Sequence, residues 1–135
     1  MADEKNVLRA GASRCWYDET HGIIMVDLDK GAVLDINQAR EATEVLLKLT
    51  GGVPRPLLVD FTNMKSQTKE CRDYYSKDPN HLRTYSAIAI LVSNPLSRVF
   101  ANFFIGLNRP LKPTRLFDDL NKAIEWLKAQ PTTKA

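Results

Sequence analysis

The sequence predicts an α/β domain: a mixed, mostly parallel sheet of about five strands with helices on both faces. Three observations carry this. Ala87-Ile88-Ala89-Ile90-Leu91-Val92 is apolar without alternation, which suits a strand covered on both faces. Ser93-Asn94-Pro95 follows at once, and Asn94 can cap a helix whose first turn holds Pro95, where the missing N–H costs nothing. The helix so begun, 95–107, carries Leu96, Val99, Phe100, Phe103, Phe104 and Leu107 as one continuous stripe.

The remaining elements follow in order. Residues 1–12 read as loosely packed. Segments 15–17 and 22–28 read as an antiparallel hairpin near a sheet edge, with Ile24, Val26 and Leu28 on one face and Asp27 on the other. Asp35 or Asn37 caps a helix that turns Ala39, Ala42, Val45, Leu46 and Leu49 inward, and Gly51-Gly52 ends it. Leu57-Leu58-Val59-Asp60 is a short buried strand ending in an acid, followed by Phe61 and a polar stretch through Thr68. A helix over 68–77 has Cys71, Tyr74 and Tyr75 as its apolar positions, and Asp78-Pro79-Asn80 stops it. After strand 86–92 and helix 95–107 comes a last short strand within 112–117. Asp118 or Asp119 then caps a terminal helix whose stripe is Leu120, Ala123, Ile124 and Leu127, with Pro131 beyond it. The order is ββαβαβαβα, and right-handed crossovers distribute its helices over both faces. A single domain over 13–130 is expected, with 1–12 and 131–135 as flexible termini.

Composition bounds the function. At 135 residues the chain can bury a core unaided, and its 44% hydrophobic and 26% charged residues are those of a globular domain. A formal charge of +3, with bases scattered among acids, gives no nucleic-acid footprint. Met1–Asn6 has no apolar core, so no secretory signal is expected. No apolar run approaches the roughly 20 residues that span a bilayer. Cys15 and Cys71 form no Cys-x-x-Cys pair and read as reduced thiols, which places the chain in the cytoplasm.

Four stretches carry a resemblance: Pro56-Leu57-Leu58-Val59-Asp60; Ala87 to Ser93; Phe100-Ala101-Asn102-Phe103-Phe104 with Pro110; and Leu116-Phe117 with Ala123-Ile124-Glu125-Trp126-Leu127. Over about residues 13–129 the chain resembles the STAS domain superfamily. It looks closest to the bacterial STAS/SEC14-like, SpoIIAA-like proteins of unknown function, related in fold to anti-sigma-factor antagonists. In STAS regulators the loop after the strand matching 57–60 carries a phosphorylatable Ser or Thr at a helix N-terminus. The resemblance therefore implies Ser66, or Thr68, as the phosphorylated residue. The acid-hydroxyl-hydroxyl-glycine run of those regulators is absent here.

The residues themselves point to the same loop. In open α/β sheets ligands collect outside the carboxyl ends of strands, where helix starts turn backbone N–H groups outward. Asp60 marks such an end, and Thr62, Ser66 and Thr68 line the loop 60–70. A plain capping role for Ser66 or Thr68, and an N–H-accepting role for Asp60, use the same geometry. Ala101 and Ile105, one turn apart, extend apolar surface beyond the buried stripe. With Phe100, Phe104 and Arg98 they form a candidate dimer or partner interface, or the wall of a lipophilic groove. Tyr74, Tyr75, His81 and Tyr85 are an aromatic run that either lines a pocket or packs as half-buried core. His21 and His81 lack the companions a metal site needs, and a triple of Cys71, His81 and Asp60 has no spacing that argues hydrogen-bond reach. No cofactor and no catalysis are expected. The expected function is regulatory binding to a protein partner or a second copy, phospho-regulated at the 60–70 loop; the alternative is a SEC14-like carrier or sensor of a small lipophilic ligand.

Overall fold

The apolar run that opens the sequence argument is a central strand. The structure, a computed structural model, describes residues 6–93 and 112–131. Strands β1 (Leu8–Ala10), β2 (Ser13–Asp18) and β3 (Ile23–Leu28) precede β4 (Ala32–Leu34) and helix α1 (Ile36–Thr50). Then come β5 (Arg55–Asp60), β6 (Met64–Gln67), α2 (Lys69–Lys77), α3 (Pro79–Leu82), β7 (Tyr85–Leu91), β8 (Thr114–Phe117) and α4 (Leu120–Ala129). Among the described residues the main sheet has six strands in the order β1-β2-β3-β5-β7-β8, antiparallel from β1 to β3 and parallel from β3 to β8. The expected mixed, mostly parallel sheet is therefore present. β7 sits between β5 and β8, covered on both faces, which is why it needs no alternation.

The two faces have separate cores. On one, α1 packs Ala39, Ala42 and Leu46 over Val26, Leu57 and Ile90, joined by Cys71 of α2. On the other, Ala123, Ile124 and Leu127 of α4 lie over Ile23, Leu58, Ala87 and Ala89. Small alanines on both sides let this helix sit close to the sheet. Asp35 caps α1 by accepting from Gln38 N at 2.8 Å, and Gly51 closes it in the left-handed conformation at φ 63°. Asp119 caps α4. Pro56 falls where the β5–β7 register shifts, the place in a central strand that tolerates a missing donor.

Five local expectations need correction. Residues 8–10, read as loose, form edge strand β1, and Ala10 is buried; a three-residue strand is too short for alternation to show. The polar stretch after Phe61 contains β6, which pairs in parallel with β4 as a separate two-stranded sheet. Ser66 thus lies in a strand, half-buried opposite Val33, and is no part of a helix start. Asp78-Pro79 begins a helix as well as ending one: Asp78 accepts from His81 N at 3.0 Å and Pro79 takes the first position of α3. Leu120, placed in the buried stripe, is 45% exposed, because it opens α4 before the helix settles onto the sheet.

Candidate functional site

Two places on the described chain gather functional side chains: a rim at the carboxyl ends of the strands, and a cavity beneath α1. At the rim, Asp60 ends β5 and its Oδ1 accepts from Thr62 N at 2.9 Å, so the acid organises the turn through the N–H-accepting role expected of it. Thr62 Oγ1 and Ser93 Oγ, beyond the ends of β5 and β7, lie 2.8 Å apart. Further on, the β4–β6 pair delivers two helix starts side by side. Thr68 N donates to Leu34 O at 2.9 Å, Asp35 caps α1, and Thr68 caps α2, its Oγ1 accepting from Cys71 N at 3.2 Å. Thr68 and its neighbours Lys69 and Glu70 are exposed. Of the two hydroxyls weighed for the phosphorylated position, only Thr68 stands at a helix N-terminus. Among the described residues no hydrogen bond or ion pair joins Asp60 to Ser66 or Thr68; Ser66 lies within β6 and Thr68 beyond it. Arg98, Phe100, Ala101, Phe104 and Ile105, with the rest of the expected helix 95–107, lie outside the described residues.

The cavity, about 70 Å³, lies between the sheet and the helices on the α1 face. Val26, Leu28, Leu57, Val59, Ile88 and Ile90 form its sheet wall; Ala42 and Leu46 of α1, Tyr75 of α2 and His81 of α3 stand opposite. The aromatic run is thus brought together: the His81 ring is 4.7 Å from Tyr75, 5.6 Å from Tyr85 and 6.2 Å from Tyr74, and three of the four line the cavity. Burial pushes the His81 pKa down to about 4, despite Asp78, so the ring is neutral at neutral pH. Its Nδ1 reaches Thr43 Oγ1 at 3.1 Å, and its environment holds neither Cys71 nor Asp60 as a hydrogen-bond partner. Burial also pushes both thiols, Cys15 and Cys71, up to about 11, so neither is a ready nucleophile. Among the described residues no group of three or more His, Cys, Asp or Glu side chains is placed to hold a metal ion.

Gln38, Ser13, Thr43 and Lys112 make contacts here that the residue pattern does not single out. Gln38 clamps the β1–β2 hairpin onto α1: Oε1 accepts from Ala12 N at 2.8 Å and Nε2 donates to Ala10 O at 2.7 Å. Lys112 donates to the carbonyls of Leu82 and Tyr85, and its ammonium lies 5.2 Å from the centre of the Tyr85 ring. A polar glutamine at a core-facing helix position, one residue before Ala39, was the available signal for the first.

Comparison with protein families decides the assignment: the model for "Domain of unknown function (DUF7793)" matches residues 15–130. The chain belongs to this family. A comparison with curated proteins returns no match. Among solved structures, an uncharacterized DUF3478-family protein with a SpoIIAA-like fold from Shewanella loihica PV-4 superposes with a TM-score of 0.57 at 16% identity, over 90% of each chain. An anti-sigma factor antagonist from Mycobacterium paratuberculosis gives 0.59 at 12% identity, over 95% of this chain and 99% of that one. A protein with unknown function from Arthrobacter sp. FB24 is 28% identical over 86% of this chain and 99% of that one, with a TM-score of 0.32. The first two establish that this DUF7793 chain has the SpoIIAA-like, STAS-type fold. No helix among its described residues is long and apolar enough to cross a membrane.

Proposed function

We propose that this protein is a non-enzymatic, STAS-type regulatory module that acts in the cytoplasm by binding a protein partner at its 60–70 rim. One observation carries the reading: Thr68 is an exposed residue capping the nine-residue helix α2, in the stretch after β5 where the STAS resemblance implies a phosphorylated Ser or Thr at a helix N-terminus. The likeness in fold to an anti-sigma factor antagonist supports a protein as the partner. Phosphorylation of Thr68 would put roughly two negative charges at the positive end of α2, a favourable position, while turning an acidic group toward whatever docks on the rim. The neighbouring cap Asp35 adds to that negative field. Toward a partner with an acidic docking face, binding in the unmodified state and release on phosphorylation follow from these signs. Mapping phosphate on protein purified from its own host by peptide mass spectrometry tests the regulation: phosphate on Thr68 is expected in the partner-free fraction, and a loop unmodified in partner-free and partner-bound protein alike contradicts it.

A second reading, a small lipophilic ligand, is favoured by the cavity. Its aliphatic sheet wall and ring of aromatic side chains suit an apolar guest. The volume is small beside an engineered cavity of about 150 Å³ that holds benzene, so the guest is a short molecule and not a phospholipid chain. Native mass spectrometry of the freshly purified protein tests it, with a bound small molecule as the supporting result.

A further inference from the structure

We infer that the cavity takes a small apolar molecule bearing one hydrogen-bond donor, an alcohol of three or four heavy atoms being the type, with Nε2 of His81 as the acceptor. The inference rests on the second reading above, in which the cavity is a ligand site.

The tautomer of His81 follows from its neighbour. Thr43 Oγ1 donates its single hydrogen to Ala39 O at 2.9 Å. With that hydrogen on Ala39 O, Thr43 accepts in the 3.1 Å contact with His81, and the tautomer we assign carries its proton on Nδ1. Nε2 is then a bare lone pair, and it has no hydrogen-bond partner among the described residues. Nor is it sealed in packed interior: among fully enclosed side-chain polar atoms of the described residues, only Gln67 Nε2 lacks a partner. His81 is one of the residues that line the cavity, and we take Nε2 to open into it.

Apart from Tyr85, the other polar side chains in the wall are committed to the fold, the Tyr75 hydroxyl through its hydrogen bond with Cys71. Gln38 spends Oε1 on Ala12 N, and Nε2 on Ala10 O and Ser13 Oγ. Ser13 Oγ donates to Ala10 O, Ser76 Oγ to Asp73 O, and Thr114 Oγ1 to Lys112 O. The Tyr85 hydroxyl has no hydrogen-bond partner among the described residues, but it both donates and accepts and so sets no sign. His81 sets it: the guest must donate. Around that point the wall is aliphatic, and about 70 Å³ leaves room for little beyond three or four heavy atoms. Affinity for so small a guest has a ceiling at roughly tens of micromolar.

The experiment is a titration of the full chain with 1-propanol and with butane, which has the same number of heavy atoms and no donor, followed by the imidazole nitrogens in long-range proton–nitrogen spectra. The free protein should show a protonated Nδ1 and a bare Nε2. Saturable binding of 1-propanol should shift Nε2 and leave Nδ1 in place, with affinity at least tenfold above that for butane. His81→Phe, which keeps an aromatic ring in the wall, should bring the two probes to equal affinity. If that variant does not fold, the tautomer and the probe ratio in the wild-type chain decide. An Nε2-protonated ring, or equal affinity of both probes for the wild type, overturns the role of His81 while leaving the cavity a ligand site. Binding of neither probe overturns the second reading itself.

Discussion

His81 ties stability to pH in a direction the burial fixes. Its pKa is about 4 in the folded chain against about 6.5 when solvated. Between those values the unfolded chain takes up a proton that the folded chain refuses, so unfolding becomes easier as pH falls. Above about 6.5 both states are neutral at this site and the contribution is complete; by pH 4 about 3 kcal/mol has been lost. Asp78 opposes the effect and Lys112 reinforces it, while Tyr75 and Tyr85, both pushed up by burial, remain neutral throughout this range. Denaturant midpoints at pH 7.5 and pH 4.5 should differ accordingly in the wild type, and the difference should shrink in His81→Phe. Val59→Ile probes the void beside that ring: one added methylene in open space should raise stability by about 0.8 kcal/mol and weaken any guest, read by thermal melts with and without 1-propanol. At the rim, Thr68→Ala should cost about 1 kcal/mol through the lost cap, whereas Thr68→Asp should fold as well as the wild type, since aspartate caps equally well.

The β1–β2 hairpin shows how an element is held by something outside itself. Gly11 turns it at φ 57°, and a Cβ there would meet Gln38 Oε1 at 2.1 Å. Gly11→Ala therefore strains the backbone and displaces the clamp together, and should cost about 2 kcal/mol in a denaturant titration, with β1 amides losing most protection from exchange. Elements with their signals in adjacent residues were legible: α1 from Asp35 to Gly51, and β7 from six apolar residues in a row. Elements defined by distant partners were not. Met64-Lys65-Ser66-Gln67 is strand only because β4 lies beside it, and its polar composition argues for a loop. His81 read as isolated because Thr43, which fixes its tautomer, is 38 residues away. Pro79 was a stop signal in sequence and is an N1 residue in space, two uses of the same locked φ. The rim at Thr68 was found from the strand-then-helix order; that Ser66 belongs to β6 could be settled only by tertiary pairing.

The whole molecule divides its tasks by face and edge. One face of the sheet is closed by the alanine-lined packing of α4, the other contains the cavity, and the two-stranded β4–β6 sheet sets two helix starts together on the rim. Charge at Thr68 can therefore change what the rim attracts without disturbing either core. That separation is the basis of the proposed switch. Calorimetric titration of a partner captured from the host against wild type, Thr68→Asp and Thr68→Ala measures it in one experiment. The switch requires Thr68→Asp to bind at least tenfold more weakly than the wild type while melting at the same temperature, with Thr68→Ala retaining affinity despite its lower stability. Equal affinity for the wild type and Thr68→Asp would show that the partner does not read this rim.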